Sequence, residues 1–191
     1  KSEGNAVWLD PAKTSPFAFY QFWLNLPDEG IEKYLKVYTF LPLAEIDAIM
    51  QLHTAMSQRR AAQKRLARAV TEIVHGETLA THVVLAADAL FGGGSFENMN
   101  RETRAIALTE APNIKITKAD LAAGYSIIDA LVSGGLASSK SEARRLIESN
   151  GISIGGTQVT DVAYKIAESD FKDGYGLVRK GKREVLIIVL K

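Results

Sequence analysis

The sequence predicts an α+β protein, in which an α-helical N-terminal part is followed by a small α/β module. Apolar residues recur at helical spacing across most of residues 15–91. The two clear strand signals, Tyr175 to Arg179 and Glu184 to Leu190, come only near the C-terminal end. Between these parts, Gly92-Gly93-Gly94 opens a stretch with few large apolar residues. We interpret residues 92–120 as a linker between two domains.

Composition is that of an ordinary globular protein and excludes several kinds of site. The chain has 191 residues, of which 47% are hydrophobic and 24% charged, enough for one or two domains with cores. It has no cysteine, which excludes disulfides, thiolate metal sites and cysteine nucleophiles. His53, His75 and His82 are too scattered to predict a metal site. No apolar run reaches the roughly 20 residues of a membrane-spanning helix.

The N-terminal part carries the signals of several helices. Ser15-Pro16 predicts the N-cap and first position of a helix that reaches about Asn25. The aromatic residues of this helix are consistent with a core helix or with a docking face. Further helical patterns cover residues 28–40, 43–56, 59–76 and 78–91, and a short one covers 101–109.

Cations are concentrated in one segment of the N-terminal part. Within ten residues and without an acid among them, the chain carries Arg59, Arg60, Lys64, Arg65 and Arg68. Like charges one helical turn apart slightly destabilise a helix, and contact with phosphates would offset that cost. A solvated helix face is the alternative, so the segment alone leaves its role open.

The stretch Leu136 to Val159 predicts a helix followed by a hairpin. Ser139 and Glu142 have the spacing of a capping box, and Asn150-Gly151 suits the end of a helix. Gly155-Gly156 predicts a two-residue turn between two short strands. Three cations are placed away from the apolar side of this helix: Lys140, Arg144 and Arg145. A basic exposed face of this kind predicts a surface for a phosphate backbone.

Charge is distributed unevenly along the chain. Residues 136–191 carry ten Lys/Arg against seven Asp/Glu, whereas residues 1–135 carry thirteen against fifteen. The predicted tip between the last two strands adds a second C-terminal cluster: Lys180, Lys182 and Arg183. Such local basic clusters, rather than the net charge of +1, are typical of nucleic-acid binding.

Residues 125–191 resemble the S4-type RNA-binding module, through the run SSKSEARRLIESNGISIGGTQV and the basic strand-turn-strand that follows it. The N-terminal run KSEGNAVWLDPAKTSPFAFYQFWLN resembles the segment after the second catalytic signature of bacterial and organellar tyrosyl-tRNA synthetases, with Lys1-Ser2 as the last two residues of that signature. Residues 61–77, AAQKRLARAVTEIVHGE, resemble the helical tRNA-binding region of the same family. The three matches occur in the order of the family.

The resemblance implies a division of the chain. Residues 1–26 would be the remnant of the signature with a connecting helix, and residues 27–91 an α-helical domain at the anticodon stem. Residues 92–120 would be the linker, and residues 121–191 the S4-like domain. Because the chain starts without Met and lacks the upstream nucleotide-binding fold, we expect a piece of a longer enzyme. It carries no secretory signal pattern.

The resemblance also implies a function. The complete enzyme would attach tyrosine to its tRNA using ATP, and Lys1 would contact ATP. This chain would bind and position tyrosine tRNA through its basic clusters, with no catalytic residue, metal or cofactor of its own and no membrane. Family members pair through the catalytic domain, so this piece is expected to be a monomer. The expected compartment is the cytoplasm or, alternatively, the mitochondrial matrix.

Other functions remain open at this stage. The chain could be a helical protein–protein interaction module with no RNA role. It could be a DNA-binding helical domain, although its basic helix leads into a hairpin instead of a second recognition helix. An independent enzyme has the weakest support, because no nucleophile–base pair can be identified. His75 is predicted at a helix C-terminus, where a cation suits the helix dipole.

Overall fold

The computed structural model describes residues 6–92, 94, 96, 99–181 and 184–191. The chain divides into two compact units, Lys1–Ala87 and Asp88–Lys191. The first is helical and the second mixes helices with a sheet, so the α+β class predicted from the sequence is confirmed. In the described part of the chain, no helix has the length and apolar character needed to cross a membrane.

The first unit is built from helices joined by short loops. They are α1 (Pro16–Leu24), α2 (Ile31–Tyr38), α3 (Leu43–Ala55), α4 (Ala61–His75) and α5 (Glu77–Ala87). Ser15 caps α1 as the sequence predicts, since its hydroxyl accepts a hydrogen bond from the backbone N–H of Ala18. The second helix begins at Ile31 rather than Asp28, because Gly30 has a left-handed backbone with φ 78°.

The core of the first unit forms where α4 packs against the other helices. Its fully buried side chains include Phe19, Leu35 and Leu66. Burying each such side chain contributes about 1.5–3 kcal/mol. On α1, Phe17 and Tyr20 are also buried, whereas Phe22 is exposed. The aromatic helix therefore belongs mainly to the core.

The second unit starts with a π-helical turn, Asp88–Gly92. Its helices are α6 (Arg101–Glu110), α7 (Lys118–Ala122), α8 (Ile127–Ser133) and α9 (Lys140–Glu148). Its strands are β1 (Asn113–Ile116), β2 (Ile152–Ile154), β3 (Thr157–Gln158), β4 (Phe171–Lys172), β5 (Tyr175–Lys180) and β6 (Glu184–Leu190).

The strands form one sheet in the order β1-β6-β5-β2-β3, with β4 beside β5. The apolar strand β6 is central, since it pairs in parallel with β1 and antiparallel with β5. The hairpin predicted at Gly155-Gly156 is present: both glycines have positive φ, and Ile154 lies opposite Thr157.

Residues 92–120, which the sequence suggests to be a linker, contain α6 and β1. Asn113 of β1 lies opposite Ile187 of β6. Phe96 is buried, and its ring stacks on Tyr175 at 5.9 Å between centroids. A parallel pairing joins residues that are far apart in sequence, so local patterns could not indicate that this stretch belongs to the sheet.

The helices α8 and α9 cover the sheet and bury its core. Ile127, Leu131 and Ile147 from the helices meet Ile154 and Leu186 from the strands. A Cβ at Gly134, just after α8, would lie 2.3 Å from a methyl carbon of Leu186. The helix end therefore approaches β6 as closely as it does because residue 134 has no side chain.

Candidate RNA-binding surfaces

The five cations of the first unit lie in and just before α4. Arg59 ends a short 3-10 turn, Ser57–Arg59, and Lys64 lies in the first turns of α4. Both are exposed, and neither side chain has a hydrogen bond or ion pair with the described residues. These two cations are therefore available to a phosphate.

Arg60 has an internal role. Its backbone is left-handed, with φ 52°, at the N-cap of α4. Its guanidinium donates hydrogen bonds to the carbonyls of Leu24 at 2.7 Å and Leu26 at 2.9 Å. These carbonyls belong to the last residue of α1 and the chain just beyond it, where helix carbonyls lack backbone partners. Arg60 thus stabilises the end of α1.

Arg65 and Arg68 form ion pairs at the surface. Arg65 contacts Glu45 at 2.9 Å, and Arg68 contacts Glu72 one turn away at 2.7 Å. Exposed pairs of this kind contribute at most about 1 kcal/mol. Either guanidinium can exchange its carboxylate for a phosphate at small cost.

The start of α9 is fixed by a displaced capping box. The Ser139 hydroxyl accepts a hydrogen bond from the backbone N–H of Glu142 at 3.2 Å, as predicted. The Glu142 carboxylate, however, accepts from the backbone N–H and hydroxyl of Ser138 at 2.7 and 2.5 Å, one residue earlier than expected. These hydrogen bonds hold the pKa of Glu142 below its usual range. The carboxylate stays ionised beside the basic face.

The three cations of α9 differ in their partners. Ala143 and Ile147 are buried against the sheet, which leaves the opposite face to solvent. Lys140 pairs with Asp129 at 2.7 Å. Arg144 and Arg145 are exposed, and neither side chain has a hydrogen bond or ion pair within the described part of the chain. Of the three predicted α9 cations, the two arginines therefore have no ion pair to give up before they bind a phosphate.

Lys180 lies in β5 instead of at the hairpin tip. It stands opposite Glu184 in the antiparallel pairing of β5 with β6. Its ammonium donates to the carbonyl of Leu136 at 3.1 Å and pairs with Glu184 at 3.3 Å. The other predicted tip cations, Lys182 and Arg183, lie outside the described residues, as does Lys1, the predicted ATP contact.

Arg179, beside Lys180, is a cation that sequence analysis did not single out. Its guanidinium donates to the carbonyl of Ala89 at 2.7 Å and also to that of Leu90. Burial lowers its pKa, and the nearby Asp88 acts in the opposite direction. Arg179 thus ties the π-helical turn to the sheet of the second unit. No sequence pattern signals this contact, because it joins residues distant along the chain.

The histidines do not form a chemical site. His75 ends α4, but its ring makes an edge-to-face contact with the ring of Phe19, at 5.1 Å between centroids. Burial lowers the pKa of His75. The neutral form is therefore favoured, against the expectation of a cation at this helix end. Among the residues that the structure describes, no group of His, Asp and Glu could hold a metal ion.

Comparison with known proteins places both halves of the chain in one family. The profile of "tRNA synthetases class I (W and Y)" matches residues 1–92. The profile of the "Tyrosine--tRNA ligase SYY-like C-terminal domain" matches residues 104–188. The chain belongs to the tyrosyl-tRNA synthetase family. The resemblance to this family described from the sequence is thereby confirmed, and both basic helices, α4 and α9, lie in matched segments.

Several bacterial tyrosine–tRNA ligases are similar over the whole chain. Those of Roseiflexus castenholzii and Thermobifida fusca are 45% and 40% identical to it, and each match covers 100% of the chain. The chain spans less than half of these relatives, 45% and 44% of their lengths. A truncated mitochondrial tyrosyl-tRNA synthetase from Aspergillus nidulans is 42% identical over 48% of the chain and 25% of that structure, with a TM-score of 0.45.

Proposed function

We propose that this chain is the tRNA-binding C-terminal portion of a tyrosine–tRNA ligase. It binds tyrosine tRNA and positions it, and it catalyses no reaction alone. The observation that carries the proposal is the exposed pair Arg144 and Arg145 on α9, in a chain of this family. Arginines without internal partners bind phosphates readily, because no existing contact has to be broken.

The first unit supplies a second basic surface. Arg59 and Lys64 are free to contact phosphates, and the ion pairs of Arg65 and Arg68 are weak enough to open. Such contacts fix the position of an RNA backbone without reading its sequence. We assign this surface to the anticodon stem and the S4-like second unit to another part of the same tRNA.

The remaining features of the proposal concern the complete enzyme. ATP is its substrate, Lys1 contacts ATP, and the enzyme pairs as a homodimer through a catalytic domain outside this chain. The chain itself is a monomer, and its compartment is the cytoplasm or, alternatively, the mitochondrial matrix. Sedimentation of the purified chain tests the oligomeric state, and a tight dimer would contradict the proposal.

Binding of tyrosine tRNA by the purified chain, measured by electrophoretic shift across a salt series, tests the central proposal. We expect binding at low salt that weakens steeply as salt rises, because bound cations release counterions from the RNA. Replacing Lys140, Arg144 and Arg145 together by Gln should lower the affinity and reduce the salt dependence, by about one unit of slope for each lost phosphate contact.

A matched control separates a specific surface from general charge. Gln at Lys115, Lys118 and Lys165, which are exposed in the same unit, changes the net charge equally. This control should bind almost as tightly as the parent. Equal losses in both triple variants would mean that α9 is not the RNA surface. A parent chain that binds no tRNA would favour the interaction module without an RNA role.

A further inference from the structure

Phe40 is the most exposed large hydrophobic residue recorded in the described part of the chain. It lies in the loop between α2 and α3, and 90% of its surface is accessible. Its neighbour in sequence Leu41 packs against the core of the first unit, so the loop itself is anchored. An aromatic ring held at the surface by an anchored loop is ready to receive a partner.

The Phe40 side chain lines a cavity of about 350 Å³. This volume lies near the lower end of the range of about 300–1,000 Å³ found for small-ligand sites. The cavity is lined by Phe40, Leu41, Arg65 and Ile73, together with the carboxylate residues Glu72 and Glu77. It therefore combines apolar walls with both signs of charge.

Arg65 contributes a second flat group to the cavity. Two nitrogens of its guanidinium, Nε and Nη2, lie 3.0 and 2.9 Å from the same Oε1 oxygen of Glu45. This surface pair orients the guanidinium plane without fixing it. Bases that are not stacked in a helix bind between aromatic rings and arginine planes, and a phenyl ring together with a guanidinium in one cavity offers both kinds of surface.

The charges around the cavity suit a nucleotide better than an apolar peptide. Glu72 and Glu77 can accept hydrogen bonds from an amino group on a base edge, as carboxylates do from cytosine. Lys64 and Arg68 are exposed on the same helix as Arg65 and can meet the flanking phosphates. An apolar peptide would offer these cations no negatively charged group to bind.

We propose that the Phe40 cavity takes one unstacked, amino-bearing nucleobase of an RNA bound by the first unit. The inference rests on the proposed function, because it names the part of an RNA that this surface receives. Phe40 supplies the stacking face and Arg65 the opposing plane. Glu72 and Glu77 favour adenine, cytosine or guanine over uracil, which has no exocyclic amino group.

The test compares Phe40→Ala and Phe40→Tyr in the full chain, with Leu52→Ala as the control. Leu52 is likewise an exposed apolar residue of the first unit, but it does not line this cavity. The probes are tyrosine tRNA and single-stranded RNA hexamers of A, C or U. Phe40→Ala should weaken binding of tRNA and of the A and C hexamers about tenfold, a loss typical of one stacked base.

The salt dependence distinguishes stacking from charge. Phe40→Ala removes no cation, so its salt slope should equal that of the parent, whereas Lys64→Gln should reduce the slope by about one. Phe40→Tyr keeps an aromatic ring and should retain the affinity of the parent. The U hexamer should be the least affected by Phe40→Ala.

The outcomes separate the inference from the proposed function. If the parent binds tRNA and Phe40→Ala binds it within twofold, the inference fails and the proposed function stands. If Leu52→Ala weakens binding as much as Phe40→Ala, the effect is not that of this cavity. If Phe40→Ala alters self-association in sedimentation while RNA affinity is unchanged, the surface meets protein and the inference is overturned. If the parent binds no RNA, both fail.

Discussion

The basic segments of the two units look alike in sequence but differ in how their arginines are used. In the first unit, three arginines already have internal partners: Arg60 holds two carbonyls, and Arg65 and Arg68 hold carboxylates. In the second unit, the adjacent Arg144 and Arg145 on α9 have no such partners among the described residues.

The difference shows that a count of cations does not measure a nucleic-acid surface. A cation that already completes an internal hydrogen bond must give up that bond before it binds a phosphate. The cost is large for Arg60, because the carbonyl of Leu24 would lose this hydrogen bond and that of Leu26 would keep only the 3.5 Å bond from Gln63. The cost is small for the partly exposed ion pairs of Arg65 and Arg68. The same residue type can therefore act mainly on stability or mainly on binding.

The largest expected effect is on the stability of the first unit. Arg60→Met should lower the free energy of unfolding by about 1.5–3 kcal/mol, since it removes charge-assisted hydrogen bonds to Leu24 and Leu26. Arg59→Met, one residue earlier and exposed, should change it by no more than about 0.5 kcal/mol. Urea unfolding followed by tryptophan fluorescence reports on this unit alone, because both tryptophans, Trp8 and Trp23, lie in it. Equal losses of stability in Arg60→Met and Arg59→Met would show that the internal hydrogen bonds of Arg60 do not stabilise the first unit.

A smaller effect is expected on RNA binding by the second unit. Arg144→Gln with Arg145→Gln should weaken binding of tyrosine tRNA about tenfold at low salt and reduce the salt slope by about two. Lys140→Gln with Lys180→Gln removes the same charge from residues that have internal partners, so it should weaken binding less. Isothermal titration or filter binding gives both affinities. A greater loss of RNA affinity in the lysine double variant than in the arginine double variant would contradict the expectation that cations without internal partners contribute more to binding.

The smallest expected effect is a pH dependence of the stability of the first unit that arises from a histidine. All three histidines belong to the first unit, and burial lowers the pKa of His75. The unfolded chain then binds a proton more readily than the folded one. The stability from His75 is complete above its ordinary pKa of about 6.5 and is lost as pH falls from that value through the lowered pKa of the folded state.

Unfolding curves at pH 7.5 and 5.5 check this expectation. The midpoint seen by tryptophan fluorescence should fall at the lower pH, and His75→Gln should reduce that fall. A pH dependence that is unchanged in His75→Gln would show that another group is responsible.

Local features of the fold could be predicted from the sequence, because their causes lie within a few residues. Ser15 caps α1, and Gly155-Gly156 turns the hairpin, as their patterns indicate. The capping box of α9 is present, except that the Glu142 carboxylate accepts from the backbone N–H of Ser138 instead of that of Ser139. In each case the residues that interact are neighbours in the chain.

Features that depend on distant residues could not be predicted in this way. The strand β1 was not predicted, because its partner β6 is at the other end of the second unit. The sequence shows which residues are cations, but it does not show which carbonyls and carboxylates they contact in the folded chain. Nothing near Arg60 in the sequence indicates that it reaches Leu24, and nothing near Arg179 indicates Ala89. Whether the predicted cations contact RNA stays a prediction.

The central position of β6 also affects the order in which the protein can be completed during synthesis. Helical contacts of the first unit lie within its own residues and can form once Ala87 has left the ribosome. The sheet of the second unit cannot close earlier than Glu184–Leu190, because that strand joins β1 to β5. Until then, the apolar faces of α8 and α9 have no finished surface to cover. A ribosome that pauses before residue 184 would thus hold a folded first unit beside an aggregation-prone second one.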